Sequence, residues 1–467
     1  MTDTLALPKG ARHIHLVGIG GIGVSALAPV LLSRGFSVSG SDPARHGVTD
    51  RLQQLGIPIV HEHKPENITG ASLVVVTSAV KDTNPEVKAA LDKGIPVWPR
   101  AKMLGYLLQE RKSIVVTGTH GKTTVTAMIA CVLADAGLDP TAFIGGELPS
   151  LGGNVRVGKG EWMVAEGDES DGSFTYLKPD IAIVNNIDAD HLDFYSDVEA
   201  IVERFHEFLQ GVKEEGWIVL SADCDRAVAL ADRVGRRCKT YGFSDRAEMQ
   251  ALDYARTGRG WGCEVRMGER SLGKLHLRVS GKANCHNALA VLRIGEILGL
   301  PFERVAESLS HYEGVKRRME EKGTVRGVTV VDDYAHHPAE IRATLGALRD
   351  RYNGRMIGIF QPHLYSRTLK LREEFGQAFQ GLDLLILTDI YPARETPLPG
   401  VSGEVLLAPV RRSGVPVLYI PRLEEIPIFL REAVKEGDVV VTMGAGDVWK
   451  VGEQFVEQKF PAEEVNG

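Results

Sequence analysis

Short apolar runs punctuate the chain, and most end in a cluster of Gly, Asp, Asn, His or Ser that opens into a stretch of helical periodicity. The runs at 13–17, 36–40, 73–77, 114–116, 162–165, 181–185, 328–331, 356–360, 384–388 and 439–443 read as strands, most of them continuous enough to be buried in a parallel sheet. The intervening patterns predict helices over 24–33 (stopped by Gly35), 85–93, 100–109, 125–136 (ended by Gly137), 198–209, 288–298 and 339–350. Residues 216–279 have a different texture: strand-like runs at 217–220, 239–241 and 275–279 with few motifs. Alternation of strand and helix predicts an α/β chain.

The alternation restarts twice. A charged run, Glu110-Arg111-Lys112, precedes one restart, and Gly314-Val315-Lys316-Arg317-Arg318 precedes the other. Domain limits at 1–111, 112–318 and 319–467 follow, giving three nucleotide-fold-like units that do not align as sequence repeats. A length of 467 residues suits several cores rather than one.

Composition narrows the classes. With 25% charged and 43% apolar residues the chain reads as globular, and a net charge of −7 argues against a general nucleic-acid surface. No apolar run is long enough to span a bilayer, and the first residues lack the basic start and apolar centre of a signal peptide, so a cytoplasmic protein without membrane insertion is expected. The five cysteines are scattered and none forms C-x-x-C, which fits reduced thiols and no cysteine zinc site.

Two glycine loops carry the candidate chemistry. In the central segment, the run at 114–116 leads into Gly118-Thr119-His120-Gly121 and then Lys122-Thr123-Thr124. Glycines let backbone N–H groups approach phosphate oxygens, a lysine reaches the β/γ-phosphates, and a threonine hydroxyl ligates Mg²⁺. The loop is shorter than G-x-x-x-x-G-K-[ST], since Val116 stands where the first glycine belongs. In the N-terminal segment, Gly18-Ile19-Gly20-Gly21-Ile22-Gly23 follows a strand, and Ser41-Asp42 ends the next one. This implies a diphosphate at a helix N-terminus and a carboxylate near a ribose or sugar hydroxyl, which any diphospho-sugar nucleotide satisfies. Taken alone, the same pattern fits a nicotinamide dehydrogenase, but that reading leaves Lys122 to Thr124 unexplained. An ATP-gated binding protein is the non-enzyme alternative.

Polar runs elsewhere add candidates. Glu166 to Asp171, at the end of a strand, suggests a Mg²⁺ ligand. His191, among Asp188, Asp190 and Asp193, could ligate a metal or belong to a helix cap. Asn284 and Asn287 open a helix and could cap it or hold a purine. The pair His336-His337 is no metal motif, and a hydrogen-bonded turn accounts for it equally well.

With these residues in view, the chain resembles the Mur ligase family, the ATP-dependent amide-forming enzymes of peptidoglycan synthesis. The motifs that carry this are G-I-G-G-I-G, G-S-D, T-G-T-H-G-K-T-T, E-G-D-E-S-D-G-S-F, N-I-D-A-D-H-L-D, V-K-R-R, D-D-Y-A-H-H-P and F-Q-P-H-L-Y-S-R-T, in that order. The resemblance implies three α/β domains: a Rossmann-like N-terminal domain for the UDP-sugar, a central P-loop ATPase-like domain, and a Rossmann-like C-terminal domain for the amino acid and closure. It implies UDP-N-acetylmuramate and L-alanine as substrates, ATP and Mg²⁺ as cofactors, and a monomer or homodimer. By the same resemblance Gly18, Gly20, Gly21, Gly23, Ser41, Asp42 and Ser78 meet the UDP-sugar. Gly118, Thr119, His120, Gly121, Lys122, Thr123, Thr124, Asn287, Arg318 and Asp333 meet ATP. Thr123, Glu166 and His191 meet the metal, and Tyr334, His336 and Arg367 meet the amino acid. Lys122, Glu166, His191, His336 and Arg367 are the expected catalytic set. Two positions depart from many members, which have histidine at Ala283 and arginine at Leu364. The second departure would leave the grip on alanine resting more on Arg367.

Overall fold

The computed structural model describes residues 5–45, 47–77, 79–191, 194–257, 260–393 and 395–458. Ser78 and Asp193 lie outside them. The chain forms three sheets in two compact units. Met1–Arg278 with Cys285–Glu313 make the first unit, and Val279–Asn284 with Gly314–Gly467 the second.

The first sheet is parallel, in the order Ile59–Val60, Ser37–Ser41, His13–Val17, Leu73–Val76, Val97–Pro99. The strand His13–Val17 is central, so the first glycine loop leaves the sheet where strand order reverses, the usual ligand crevice of such folds. The expected helix over 24–33 is in fact two, Ile22–Ser25 and Leu27–Ser33. Pro29 accounts for the break, because it lacks an N–H and its ring crowds the Ser25 carbonyl one turn back.

The second sheet has ten strands. Their order is Arg270–Leu277, Gly260–Met267, Met249–Thr257, Arg237–Gly242, Trp217–Ser221, Ile181–Val184, Lys112–Thr117, Trp162–Glu166, Thr141–Leu148, Gly153–Arg156. The stretch with few motifs holds the parallel strands Trp217–Ser221 and Arg237–Gly242 and then an antiparallel meander from Met249 to Leu277. The strands Met249–Thr257 and Gly260–Met267 are partly exposed and carry polar residues, so no continuous apolar run marks them, and of Arg270–Leu277 the apolar pattern predicts only the end. The strand Lys112–Thr117 lies between Ile181–Val184 and Trp162–Glu166, all parallel, with Val116 level with Glu166 and Thr117 level with Val184. That register brings the lysine-bearing glycine loop and both acidic runs to the same edge of the sheet. The helix behind the loop, Lys122–Asp135, is almost wholly apolar beyond its first turn and is buried on nearly every face, which fixes the loop from behind.

The second unit is a six-stranded sheet in the order Glu320–Val325, Val328–Asp333, Val439–Met443, Met356–Phe360, Leu384–Leu387, Val417–Tyr419. Only the first pair is antiparallel. Asp333, Met443 and Phe360 are level, so the runs that follow them open at one end of the sheet. Among the described residues no helix is long and apolar enough to cross a membrane.

Candidate active site

The lysine-bearing glycine loop is held open by its neighbours' amides. Gly118 (φ +128°) and Gly121 (φ +86°) are in backbone conformations that favour glycine. A Cβ on Gly121 would stand 2.6 Å from Asn287 Oδ1 and 2.8 Å from Asn185 Nδ2. Asn186 accepts the His120 N–H at 2.7 Å, Asn185 and Asn186 donate to the His120 carbonyl, and the Thr119 hydroxyl accepts the Asp188 N–H at 2.9 Å. Tyr241 in turn donates to Asn185 Oδ1 at 2.7 Å.

The Lys122 ammonium donates to Gly118 O at 2.7 Å and to both oxygens of Glu169 at 2.8 and 2.9 Å. Burial works against its charge, but Glu169 and Asp168 outweigh burial and hold its pKa above the ordinary lysine value. Burial raises the Glu169 pKa against the pull of Lys122. Asp168 is brought below its ordinary value, despite burial, by Lys122 and Arg100. The ammonium is therefore kept charged although it is largely shielded from water.

Thr123 donates to Glu166 Oε2 at 3.1 Å, and the Gly145 N–H donates to Glu166 Oε1. A Cβ on Gly145 would meet that carboxylate and force it to move, so glycine leaves the carboxylate its place there. Hydroxyl and carboxylate thus meet beside the first turn of the helix. Among the described residues no three His, Cys, Asp or Glu side chains are grouped to hold a metal alone. Mg²⁺ does not require this, since it takes one or two protein oxygens and completes its shell with water and phosphate. His191, with φ +53°, reaches Glu169 and Asp190 at 3.8 Å each, next to the lysine's partner. The cap of the helix Val198–Gln210 is Asp197, which accepts the Ala200 N–H, so His191 is not that cap.

The first glycine loop is tied down by the strand that follows it. Gly18 and Ile19 donate to Ser41 O, and Gly20 donates to Asp42 Oδ2 at 2.9 Å. The Ser41 hydroxyl points inward and donates to Glu86 at 2.7 Å. Glu86 is wholly buried and also takes His63 at 2.8 Å, Asn67 at 2.6 Å and His15 at 3.5 Å. Burial would raise its pKa, but the donors His15, Asn67, Ser41 and His63 bring it down to about 2. Asn154, from the second sheet, donates to Ile22 O at 2.6 Å and Ser25 Oγ at 3.0 Å, so the two sheets of this unit meet at the loop.

In the second unit, Tyr334, His336, His363 and Arg367 form one cluster. The rings of Tyr334 and His336 lie 5.3 Å apart, those of His336 and His363 5.6 Å, and Arg367 Nη1 is 3.4 Å from His363 Nδ1. The Tyr334 carbonyl, 3.0 Å from His336 Nδ1, can only accept, which assigns the proton to Nδ1 and leaves Nε2 as the basic nitrogen of the neutral ring. His337 caps the helix Pro338–Arg351 in a capping box with Glu340, the turn role open to it from sequence. Arg318 lies over the Tyr334 ring, and buried Asp333 accepts from Met319 and Ala335 N–H groups. Burial pushes Asp333 up to about 6, with Arg318 opposing. Leu364 starts the next helix at φ +68° and is buried.

The expected residues therefore fall into local clusters: the two loops with Glu166, His191 and Asn287 in the first unit, and Arg318, Asp333, Tyr334, His336 and Arg367 in the second. Glu169, Asn185, Asn186 and Tyr195, whose hydroxyl donates to the Glu169 carbonyl, were not singled out from sequence. Glu169 could have been found as the second acid of its run. The amides only follow from strand order.

A nucleotide-type glycine loop ending in lysine, flanked by acidic strand ends on a three-sheet α/β chain, defines the class: a triphosphate-handling α/β protein. Three Mur ligase descriptions match it in order: the family's catalytic domain over residues 13–112, its middle domain over 116–295 and its glutamate ligase domain over 317–446. The chain belongs to the Mur ligase family. It is 46% identical over 448 residues to the UDP-N-acetylmuramate–L-alanine ligase of Geotalea uraniireducens, covering 96% of this chain and 98% of that one. Identity to the ligase of the same name from Desulfatibacillum aliphaticivorans is 45% over the same shares. The crystal structure of UDP-N-acetylmuramate-alanine ligase MurC from Thermotoga maritima superposes with a TM-score of 0.83 at 31% identity, covering 96% of this chain and 98% of that one. A murein peptide ligase from Psychrobacter arcticus, at 24% identity and TM-score 0.73, shares the fold over 96% of this chain and 98% of that one.

Proposed function

We propose that this chain joins L-alanine to the lactyl carboxylate of UDP-N-acetylmuramate, giving UDP-N-acetylmuramoyl-L-alanine, ADP and phosphate, in peptidoglycan precursor synthesis. The observation that carries the reading is the charged, half-buried Lys122 at the end of a glycine loop, with Thr123 and Glu166 beside it. The names of the relatives supply the substrates. The three-domain division at 1–111, 112–318 and 319–467, a cytoplasmic location and a monomeric or homodimeric state belong to the same reading.

In this mechanism the loop N–H groups and Lys122 bind the β- and γ-phosphates, with Lys122 leaving Glu169 for the nucleotide. Thr123 and Glu166 would hold Mg²⁺, with His191 nearby, and the ion's role is to offset triphosphate charge. Gly118 to Thr124 and Asn287, with Arg318 and Asp333, make up the ATP contacts. Gly18, Gly20, Gly21, Gly23, Ser41, Asp42 and Ser78 are assigned to the UDP-sugar. The sugar's carboxylate oxygen attacks the γ-phosphorus and ADP leaves, because a loop that holds the β- and γ-phosphates exposes that atom. The alanine amine then attacks the acyl carbon of the acyl phosphate and expels phosphate. His336 Nε2, the ring nitrogen left without a proton, takes the amine's proton. Tyr334 and Arg367 position the amino acid.

The test places ¹⁸O in the lactyl carboxylate. One ¹⁸O should reach inorganic phosphate after turnover with L-alanine. Label in AMP, or none transferred, would overturn the acyl-phosphate route.

A further inference from the structure

We propose that Arg100 binds the diphosphate of the sugar nucleotide on the first glycine loop. This rests on the assignment of that loop to the UDP-sugar.

The loop's donors are mostly committed. Gly18, Ile19, Gly20 and Gly21 N–H groups bond to Ser41 O, Ser41 O, Asp42 Oδ2 and Gly18 O. Those of Ile22 and Gly23 have no hydrogen-bond partner among the described residues. Two N–H groups are a thin site for a group carrying two negative charges, and the acid bonded into the loop, Asp42, has the wrong sign.

Arg100 supplies the missing charge. It opens the helix Arg100–Leu108, far away in sequence, and is half-buried. Its Cδ, Nε and Nη1 lie 3.0, 3.1 and 3.2 Å from where a Cβ on Gly23 would be. The guanidinium thus lies against the open end of the loop, in space left by a missing side chain. It makes no hydrogen bond or ion pair among the described residues, although its charge reaches Asp168. A half-buried guanidinium with open donors matches an anion with a planar pair of oxygens, which diphosphate presents.

The test uses the full chain with Arg100→Ala, Arg100→Lys and Gly23→Ala. Direct binding of UDP-N-acetylmuramate is measured by calorimetry, and UDP is measured as its competitor. Arg100→Ala should weaken both by about 10- to 100-fold, the size of a lost charged hydrogen bond. Arg100→Lys should recover part of this. Gly23→Ala should weaken both several-fold without lowering the melting temperature, because the added methyl meets only the movable end of Arg100. Unchanged affinity for an ATP analogue confirms that the variants fold. Weakening of UDP-N-acetylmuramate alone would move Arg100 to the carboxylate and overturn the proposal, as would no weakening at all. If the wild-type chain binds neither ligand, the ligase reading itself fails, a distinct result.

Discussion

The two glycine loops of the first unit have the same outline, strand, glycines, helix, and opposite charge plans. Gly118–Gly121 runs straight into its own cation, Lys122, and the surrounding strands hold that cation with Glu169 and Asp168. Gly18–Gly23 has no cation in its own sequence, and the neighbouring acid, Asp42, is bonded into the loop backbone. The arginine that lies against it comes from another helix. A loop that carries its own charge needs carboxylates to keep that charge in place when the phosphates are absent. A loop without one depends on the rest of the domain to bring charge to it. The backbones are less different: Gly18 of the first loop (φ +76°) and Gly118 and Gly121 of the second are all at positive φ, whereas Gly21, at φ −68°, is ordinary.

The largest expected effect is at the built-in cation. Lys122→Ala should lower ligation at least about 100-fold, the loss seen when a donor to developing oxyanion charge is removed. It also leaves Glu169 buried without its partner, so Lys122→Ala with Glu169→Gln should melt higher than the single variant. Phosphate release and thermal unfolding measure the two effects. Near wild-type turnover in a cooperatively folded Lys122→Ala protein would remove the charge contrast between the loops.

Next comes the anchor under the first loop. Glu86→Ala strands His15, Ser41, His63 and Asn67 and should cost about 2–4 kcal/mol in urea unfolding. The folded pKa of about 2 lies below the ordinary 4.5, so Glu86 contributes its stability fully above pH 4.5 and loses it as pH falls toward 2. Glu86→Gln should therefore flatten the stability curve over that window. An unchanged acid limb would mean the carboxylate is not held by these donors.

The smaller effects are conformational. Gly121→Ala combines a left-handed φ with a contact to two amide side chains, and should cost about 1–3 kcal/mol and weaken ATP-analogue binding. Gly21→Ala keeps an ordinary φ and meets only Gly18 O at 3.3 Å, so a change below about 1 kcal/mol is expected. Equal costs would show that backbone handedness does not separate Gly121 from Gly21.

The sequence by itself determined what is local. Apolar runs gave the central parallel strands of all three sheets, because burial on both faces leaves no polar alternation, but not strands at or next to an edge such as Thr141–Leu148, Gly153–Arg156 and Glu320–Val325. Glycine, lysine and threonine in one short stretch gave the lysine-bearing glycine loop, because reach and backbone freedom are properties of neighbouring residues. Pro29 broke a helix that the apolar pattern had run together, a local signal outweighed by periodicity in the reading. Only the tertiary structure decided which acid does what. Glu166 and Glu169 lie three residues apart, and strand register sends one to Thr123 and the other to Lys122. Asn185 and Asn186 support the loop because their strand pairs beside it, and Arg100 reaches Gly23 because its helix packs where the first sheet ends. These contacts join residues far apart in sequence, and neither composition nor periodicity encodes the register that brings them together.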